Sequence, residues 1–247
     1  MGVHSLAMIG SAKESHEVKG YPWIDIVLLI FEIFTMSQIN LINDDCMNVM
    51  KEYADNHFDL AIVDPPYGIN LANMNMGAGI SKKCSKIKNR KWVAKDWDLE
   101  VPSLEYFDEL FRVSKNQMIW GGNYFDLPPC KFYIIWDKEI PDGMSFADCE
   151  MCWTSLNKAP RIFRHSAYLD KKSKFHPTQK PVKLYKWLLN NYAKSGDKIL
   201  DTHLGSGSIA IACHDYGYDL VGTELDKEYF NAAKKRFNNH TMQQSLF

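Results

Sequence analysis

Residues 59–67 read Asp59-Leu60-Ala61-Ile62-Val63-Asp64-Pro65-Pro66-Tyr67, and this stretch decides how the rest of the chain is understood. The run Asp59–Val63 is short and largely apolar, as expected of a strand buried on both faces. It stops at an acid followed by two prolines, each of which fixes φ and removes a backbone donor. A buried strand ending in a rigid polar projection suits an open α/β sheet, where ligands bind beyond the carboxyl ends of the strands.

The same pattern recurs on either side. Ile39–Ile42 predicts a short strand ending at Asn43-Asp44-Asp45, and Cys46–Ala54 predicts a helix. Leu104–Val113 reads as a helix, and Gln117–Trp120 as a strand that ends in Gly121-Gly122-Asn123. Phe132–Trp136 and Ala147–Ser155 are further strand candidates. Pro181–Ala193 predicts a helix with Val182, Tyr185, Leu188, Leu189 and Tyr192 at helical spacing. Lys198–Leu200 and Asp219–Gly222 are strands bracketing a helix over Ser208–Tyr216. This alternation predicts an α/β fold with a mostly parallel sheet. Polar clusters at Asp45, Asp64, Gly121–Asn123, Asp201 and Glu224 each follow an apolar run, which places a site at one edge of that sheet.

Composition narrows the class. The chain has 247 residues, 46% of them hydrophobic and 24% charged, which excludes a disordered chain, a collagen-like chain and a coiled coil. A net charge of −1 gives no global attraction for an anionic partner, so any nucleic-acid contact must come from a local patch. Six cysteines are too few for a disulfide scaffold and read as reduced thiols in a cytoplasmic protein. Cys149 and Cys152 lie three apart on a predicted strand, on opposite faces, so they do not converge on a metal. No metal site is expected.

Residues 22–36 hold the most apolar stretch near the start of the chain. Its uninterrupted run Ile26–Phe31 lies between Asp25 and Glu32, too short for a membrane span of about 20 residues. Residues 1–35 read either as an amphipathic helix docked on the body or as an extension ahead of a start at Met36. The second is preferred, because the readable chemistry begins after Met36. The expected organisation is therefore an extension over 1–35, a main domain over 36–240 containing a basic loop over 68–98, and a tail over 241–247.

Three motifs carry chemistry. Asp201-Thr202-His203-Leu204-Gly205-Ser206-Gly207-Ser208 is a strand-to-helix turn whose two glycines permit a tight bend and close ligand approach. With Ala210 it fits a loose dinucleotide pattern, and Glu224 stands 23 residues after Asp201, where a ribose-binding acid is expected. Alone it separates neither a nicotinamide cofactor from S-adenosylmethionine nor either of them from a plain turn. Asp64–Tyr67 offers two fixed acceptors, the Asp64 carboxylate and the Pro65 carbonyl, beside an aromatic face. That set suits an amino group on a flat ring, with Tyr67 stacking on the ring. His176-Pro177-Thr178-Gln179-Lys180-Pro181 precedes a helix whose free N–H groups, helped by Lys180, suit a carboxylate.

Together these motifs resemble the beta class of DNA amino-methyltransferases, the N4-cytosine/N6-adenine group, over roughly residues 38–236. Asp64, Pro65, Pro66 and Tyr67 resemble its D-P-P-Y catalytic motif, Asp201–Gly207 its S-adenosylmethionine loop, and His176–Pro181 its H-P-T-Q-K-P motif. The catalytic motif precedes the cofactor loop, which is the permuted order of that class. The resemblance implies a Rossmann-like S-adenosylmethionine-dependent methyltransferase fold. It implies that Glu224 binds the ribose, Asp45 the adenine, and Asp201 and Gly205 the methionine end, with Thr178 and Lys180 on the carboxylate and Gly207 also at the cofactor. His203 departs from the phenylalanine common in the family, and its ring is expected to pack there instead. D-P-P-Y goes more often with adenine, so the expected reaction is N6-adenine methylation in double-stranded DNA. An N4-cytosine enzyme, a catalytically silent DNA-binding module and an RNA substrate are the alternatives.

Residues 68–95 contain no acid and seven basic residues, including Lys82, Lys83, Lys86, Lys88, Arg90 and Lys91. A run of this kind is often only a solvated loop. Next to the catalytic motif it is expected to clamp phosphates. Trp92 and Trp97 either stack on bases or fill the core. About 108 residues separate Tyr67 from His176, leaving little room for a large recognition domain and favouring a short or relaxed target sequence. The final residues Gln243, Leu246 and Phe247 resemble the short peptide by which bacterial DNA-processing proteins dock on a sliding clamp, following a helix expected to end near Asn239. A frayed tail is the competing reading, and a homodimer is left open.

Overall fold

Every residue of β2 (Leu60–Val63) and β3 (Gln117–Trp120) is buried. Strands covered on both faces need helices crossing over each face, and such crossovers make the sheet parallel. The computed structural model has this arrangement; it describes residues 37–69, 98–143, 147–166, 174–176 and 178–244. The remaining strands are β1 (Ile39–Ile42), β4 (Tyr133–Asp137), β5 (Cys149–Thr154), β6 (Arg161–Arg164), β7 (Lys198–Asp201) and β8 (Asp219–Thr223). All eight form one sheet in the order β1-β8-β7-β2-β3-β5-β4-β6. Only β5 runs against its two neighbours; the other pairings are parallel.

The order explains the permuted motifs. The C-terminal strands β7 and β8 insert between β1 and β2, with Leu60 opposite Ile199 and Ala61 opposite Leu200. Two turns far apart in sequence, at Asp64 and Asp201, thus leave neighbouring strands at the same edge.

The period-two alternation of β2 divides the core into two layers. Leu60 and Ile62 join Trp120, Ile134, Leu184 and Leu188 on one side; Ala61 and Val63 join Phe107, Leu110 and Val113 on the other. The first layer is covered by α3 (Val182–Tyr192) and α4 (Ser208–Tyr216), the second by α1 (Cys46–Lys51) and α2 (Leu104–Val113). Helix α2 buries Tyr106, Phe107, Leu110 and Val113, one stripe at helical spacing. Each such large side chain contributes about 1.5–3 kcal/mol on leaving water. Helix α4 stops at Gly217, whose left-handed backbone lets its N–H reach back to Cys213 and His214. Helix α5 (Lys227–Gln244) completes the described chain.

Several expectations are corrected. Helix α1 ends at Lys51 rather than Ala54, because Glu52 already caps it and Asn56 adopts a positive φ. Strand β6 was not anticipated: it is largely exposed at the sheet edge, and its four residues hold only Ile162 and Phe163 between two arginines. Helix α5 continues past Asn239 to Gln244, so the first residues of the expected tail are helical. Cys149 is exposed and Cys152 buried, and the described cysteines are all free. The extension over 1–35, the basic residues Lys82, Lys83, Lys86, Lys88, Arg90 and Lys91, and the clamp anchors Leu246 and Phe247 lie outside the described residues. Among the described residues, no helix is long and apolar enough to cross a membrane.

Candidate active site

The turn after β2 is held by backbone and ring contacts. The N–H groups of Tyr67 and Gly68 donate to Asp98 Oδ1 at 2.8 and 3.0 Å, and Asp98 is buried. Gly68 and Asp98 are thereby brought together at the turn after β2. The Tyr67 ring stacks on Tyr124, with centroids 5.0 Å apart and planes 14° apart, and meets Phe125 edge-on at 6.1 Å. Space for that ring depends on Gly121 at the end of β3. A Cβ there would lie 2.2 Å from a Tyr67 ring carbon, and its φ of +70° already favours glycine.

Asp64 sits at the centre of a buried charge cluster. Its Oδ1 accepts the Tyr67 hydroxyl at 2.6 Å, and its Oδ2 lies 2.5 Å from the Lys180 Nζ. Lys180, with a side chain 1% exposed, also lies 3.0 Å from Glu150 Oε2. The other Glu150 oxygen pairs with Lys138 at 3.3 Å. The Lys180 ammonium lies over the Trp120 ring, 5.3 Å from its centroid. At its base, the Lys180 carbonyl accepts the Ser208 hydroxyl at 2.7 Å, which ties the residue to the start of α4. Burial pushes the Asp64 carboxyl above the ordinary carboxylate range, against the pull of Lys180. Burial also opposes charge on Glu150, but Lys180 and Lys138 outweigh it and hold that carboxyl low. Burial works against the Lys180 charge as well; Asp64 and Glu150 outweigh it and keep the ammonium protonated.

Beside this cluster opens a cavity of about 780 Å³. Its wall includes Asp64 and Pro66, His176 and Lys180, and Gly205 with Glu224, so all three sequence motifs face one space. The size lies within the ordinary range for small-molecule sites of roughly 300–1,000 Å³. Glu224 accepts the N–H of Gly205 at 2.8 Å and of Asp226 at 2.9 Å, which aligns its carboxylate along the cavity. Asp45 caps α1 by accepting from the Met47 N–H at 2.8 Å, and it lines the same wall. Thr178 bonds His176 Nδ1 at 3.0 Å, and both line the cavity. The His176 ring meets Tyr229 edge-on at 4.3 Å.

His203 resolves as a neutral aromatic. Burial lowers its pKa to about 4, so it carries no charge near neutral pH. Its Nδ1 lies 2.9 Å from the Thr202 hydroxyl, which in turn bonds the Tyr106 hydroxyl at 2.7 Å. The ring stands edge-on to Tyr106 at 5.5 Å, packing as a phenylalanine would.

Other predicted positions differ from expectation. Asp201 does not line the cavity; it is 1% exposed and accepts the His203 N–H at 3.0 Å, so it shapes the turn from behind. Burial pushes its carboxyl up to about 8. Gly207 is likewise behind the wall, where a Cβ would approach that of Ala233 at 3.2 Å. Lys180 lines the cavity, but its ammonium is engaged with Asp64 and Glu150 rather than presented to an anion. Glu150, Asp98 and Tyr185, which also lines the cavity, were not predicted. An acid inside an otherwise uncharged strand was the available signal for Glu150; Asp98 gave none.

A family model described as DNA methylase matches residues 116–235. The chain is 36% identical over 235 residues to the type II methyltransferase M.HpaI of Haemophilus parainfluenzae, covering 81% of the chain and 74% of that protein. It is 23% identical over 262 residues to the type II methyltransferase M2.DpnII of Streptococcus pneumoniae, covering 85% and 93%. Among solved structures it shares its fold with M1.HpyAVI in complex with S-adenosylmethionine. The TM-score is 0.53 at 21% identity, covering 81% of the chain and 100% of that structure. It likewise shares its fold with the cytosine-N4-specific PvuII DNA methyltransferase, with a TM-score of 0.52 at 14% identity, covering 82% and 87%.

Proposed function

The chain belongs to the DNA methylase family of N6-adenine and N4-cytosine enzymes, and from that premise we propose that it methylates the N6 amino group of adenine in duplex DNA. The observation that carries this reading is Asp64: a largely buried carboxylate, 13% exposed, at the rigid end of β2, on the wall of the cavity that also holds Glu224 and Gly205. S-adenosylmethionine, bound in that cavity, supplies the methyl group as an electrophilic sulfonium methyl.

The cavity suits such a molecule. Glu224 and Asp45 are acceptors for ribose hydroxyls and the adenine amine, and Thr178 offers a hydroxyl toward the amino-acid end. His203, neutral and edge-on, adds an aromatic wall without repelling a sulfonium charge.

The chain's own residues act on the target base. An exocyclic amine conjugated to its ring is a poor nucleophile, because its lone pair is delocalised. Hydrogen bonds from that amine to Asp64 and the Pro65 carbonyl draw the nitrogen toward tetrahedral geometry. Asp64 then stabilises the positive charge that develops on nitrogen as the N–C bond forms and the sulfonium S–CH3 bond would break, the cofactor leaving as a neutral thioether and the extra amine proton passing to solvent. An ionised carboxylate offers about four lone-pair sites, so the Tyr67 hydroxyl leaves room for the amine. Taking the base out of the duplex costs a few kcal/mol. Stacking on the aromatic pair Tyr67–Tyr124, worth about 1–3 kcal/mol, offsets much of that. The basic segment between Gly68 and Asp98 is assigned to the DNA phosphates.

Adenine is preferred over cytosine because D-P-P-Y, at Asp64–Tyr67, goes more often with adenine in this family. The test is incubation with S-adenosylmethionine and unmethylated duplex DNA, followed by digestion to nucleosides and mass spectrometry. N6-methyl-2′-deoxyadenosine supports the reading. N4-methyl-2′-deoxycytidine would keep the mechanism and overturn the base, and no methylated base at all would overturn both.

A further inference from the structure

The amine-methylation reading, on which this inference rests, leaves one feature of the cluster unused. The carboxylate that must receive the target amine already holds an ammonium. Lys180 Nζ lies 2.5 Å from Asp64 Oδ2, 3.4 Å from the Tyr67 hydroxyl and 3.0 Å from Glu150 Oε2. With its side chain 1% exposed, Lys180 keeps its charge against these three partners. An amine arriving at Asp64 therefore competes with Lys180. As positive charge grows on the amine, a lysine still seated on Asp64 would oppose it directly.

We infer that Glu150 is a positioning residue that retains Lys180 while the target amine occupies Asp64. Three features fit. Glu150 Oε2 is already within reach of the ammonium, so the exchange needs a shift of one hydrogen bond and no new cavity. Lys138 fixes the other Glu150 oxygen at 3.3 Å, so the receiving carboxylate is held in place. The base of Lys180 is anchored through its carbonyl to Ser208, leaving the side chain as the element that pivots between two acids. Lys180 also balances the charge of two neighbouring carboxylates that would otherwise repel. Glu150 comes from β5 and Lys180 from the turn before α3, so each is delivered by a separate element.

The experiment compares Glu150→Gln and Glu150→Asp with the wild type in single-turnover methyl transfer, alongside cofactor affinity by titration. Glu150→Gln keeps the shape and removes the charge. It is expected to lower the transfer rate at least tenfold, with cofactor Kd within about twofold of wild type and KM for DNA changed far less than kcat. Glu150→Asp is expected to recover a clear part of that rate. In a Lys180→Met background, Glu150→Gln should cost nothing further, because the residue acts through the lysine. A Glu150→Gln enzyme with wild-type rate overturns the inference while leaving the methylation reading intact. So does a loss that tracks cofactor affinity, or the same loss repeated without Lys180. Should Lys180→Met abolish transfer, the Gln and Asp pair alone decides. A wild type that methylates no base overturns the reading beneath it instead.

Discussion

Replacing Gly121 with alanine should disable the site from a position that contacts no substrate. The glycine has φ +70°. A methyl group there would stand 2.2 Å from one Tyr67 ring carbon and 2.5 Å from the next. A left-handed backbone alone costs an alanine about 1–2 kcal/mol. The overlap adds the roughly 1–3 kcal/mol typical of an overfilled site. The ring has little freedom to yield, since it is stacked on Tyr124 and its hydroxyl is bonded to Asp64. Displacing it drags on Asp64, the acceptor proposed for the amine, and a misplacement of about 1 Å costs on the order of 10²-fold in rate. Gly143 is the control: its φ is +80°, yet nothing lies within 4 Å of its would-be Cβ. Urea titrations should show a loss of about 2–5 kcal/mol for Gly121→Ala against about 1–2 kcal/mol for Gly143→Ala. Methyl incorporation at saturating cofactor should fall about 10²-fold in the first variant only. Measured in a Tyr67→Ala background, the cost of Gly121→Ala should drop to that of the control. If Gly121→Ala costs no more than Gly143→Ala, or transfers at the wild-type rate, the packing argument is wrong.

Three further outcomes follow from the same site. Asp201 titrates near 8 in the folded chain against about 3.9 unfolded, so the native state holds the extra proton between those values. Its contribution to stability is full below pH 4 and is lost as pH rises to about 8, on the order of 5 kcal/mol in all. Asp201→Asn should therefore gain stability relative to wild type as urea titrations move from pH 5 to pH 8; a gap that stays constant would refute this. His203 is depressed to about 4, so its contribution is full above its unfolded value near 6.5 and is lost as pH falls toward 4. His203→Phe should keep transfer within a few-fold of wild type and flatten that acid loss; cofactor binding abolished by the change would contradict the neutral-aromatic role. Asp98→Ala orphans the N–H groups of Tyr67 and Gly68, at about 1–3 kcal/mol each where they stay dry. Asp98 does not line the cavity, so transfer should fall while cofactor Kd holds, and a parallel fall in affinity would argue for a different role.

Much of this architecture was legible because its local signals agree. The strand over Leu60–Val63 is an unbroken apolar run stopped by prolines, and α2 and α4 match the expected Leu104–Val113 and Ser208–Tyr216 in both bounds. The strand direction of β5 was not legible, since hydrophobic periodicity is the same whichever way a strand runs. Strand β6 escaped because an exposed edge carries no burial pattern. The site divides the same way. The positions of Glu224, Gly205 and Asp45 on the cavity wall follow from where each apolar run ends, a local property. The grouping of Lys180, Asp64 and Glu150 depends on three elements that meet only in the folded sheet, so no spacing announces it. The depth of Asp201 is hidden for the same reason: its burial depends on helices packed behind the turn.

The account rests on Asp64 as the acceptor for the target amine, separate from the residues that hold the cofactor. The most direct test measures methyl incorporation into duplex DNA by Asp64→Ala and wild type, each at a cofactor concentration shown by titration to saturate it. The account predicts cofactor affinity within about twofold of wild type and incorporation lower by about 10²–10³-fold, the usual cost of removing one group that stabilises transition-state charge. Incorporation at the wild-type rate by a saturated Asp64→Ala enzyme would contradict it.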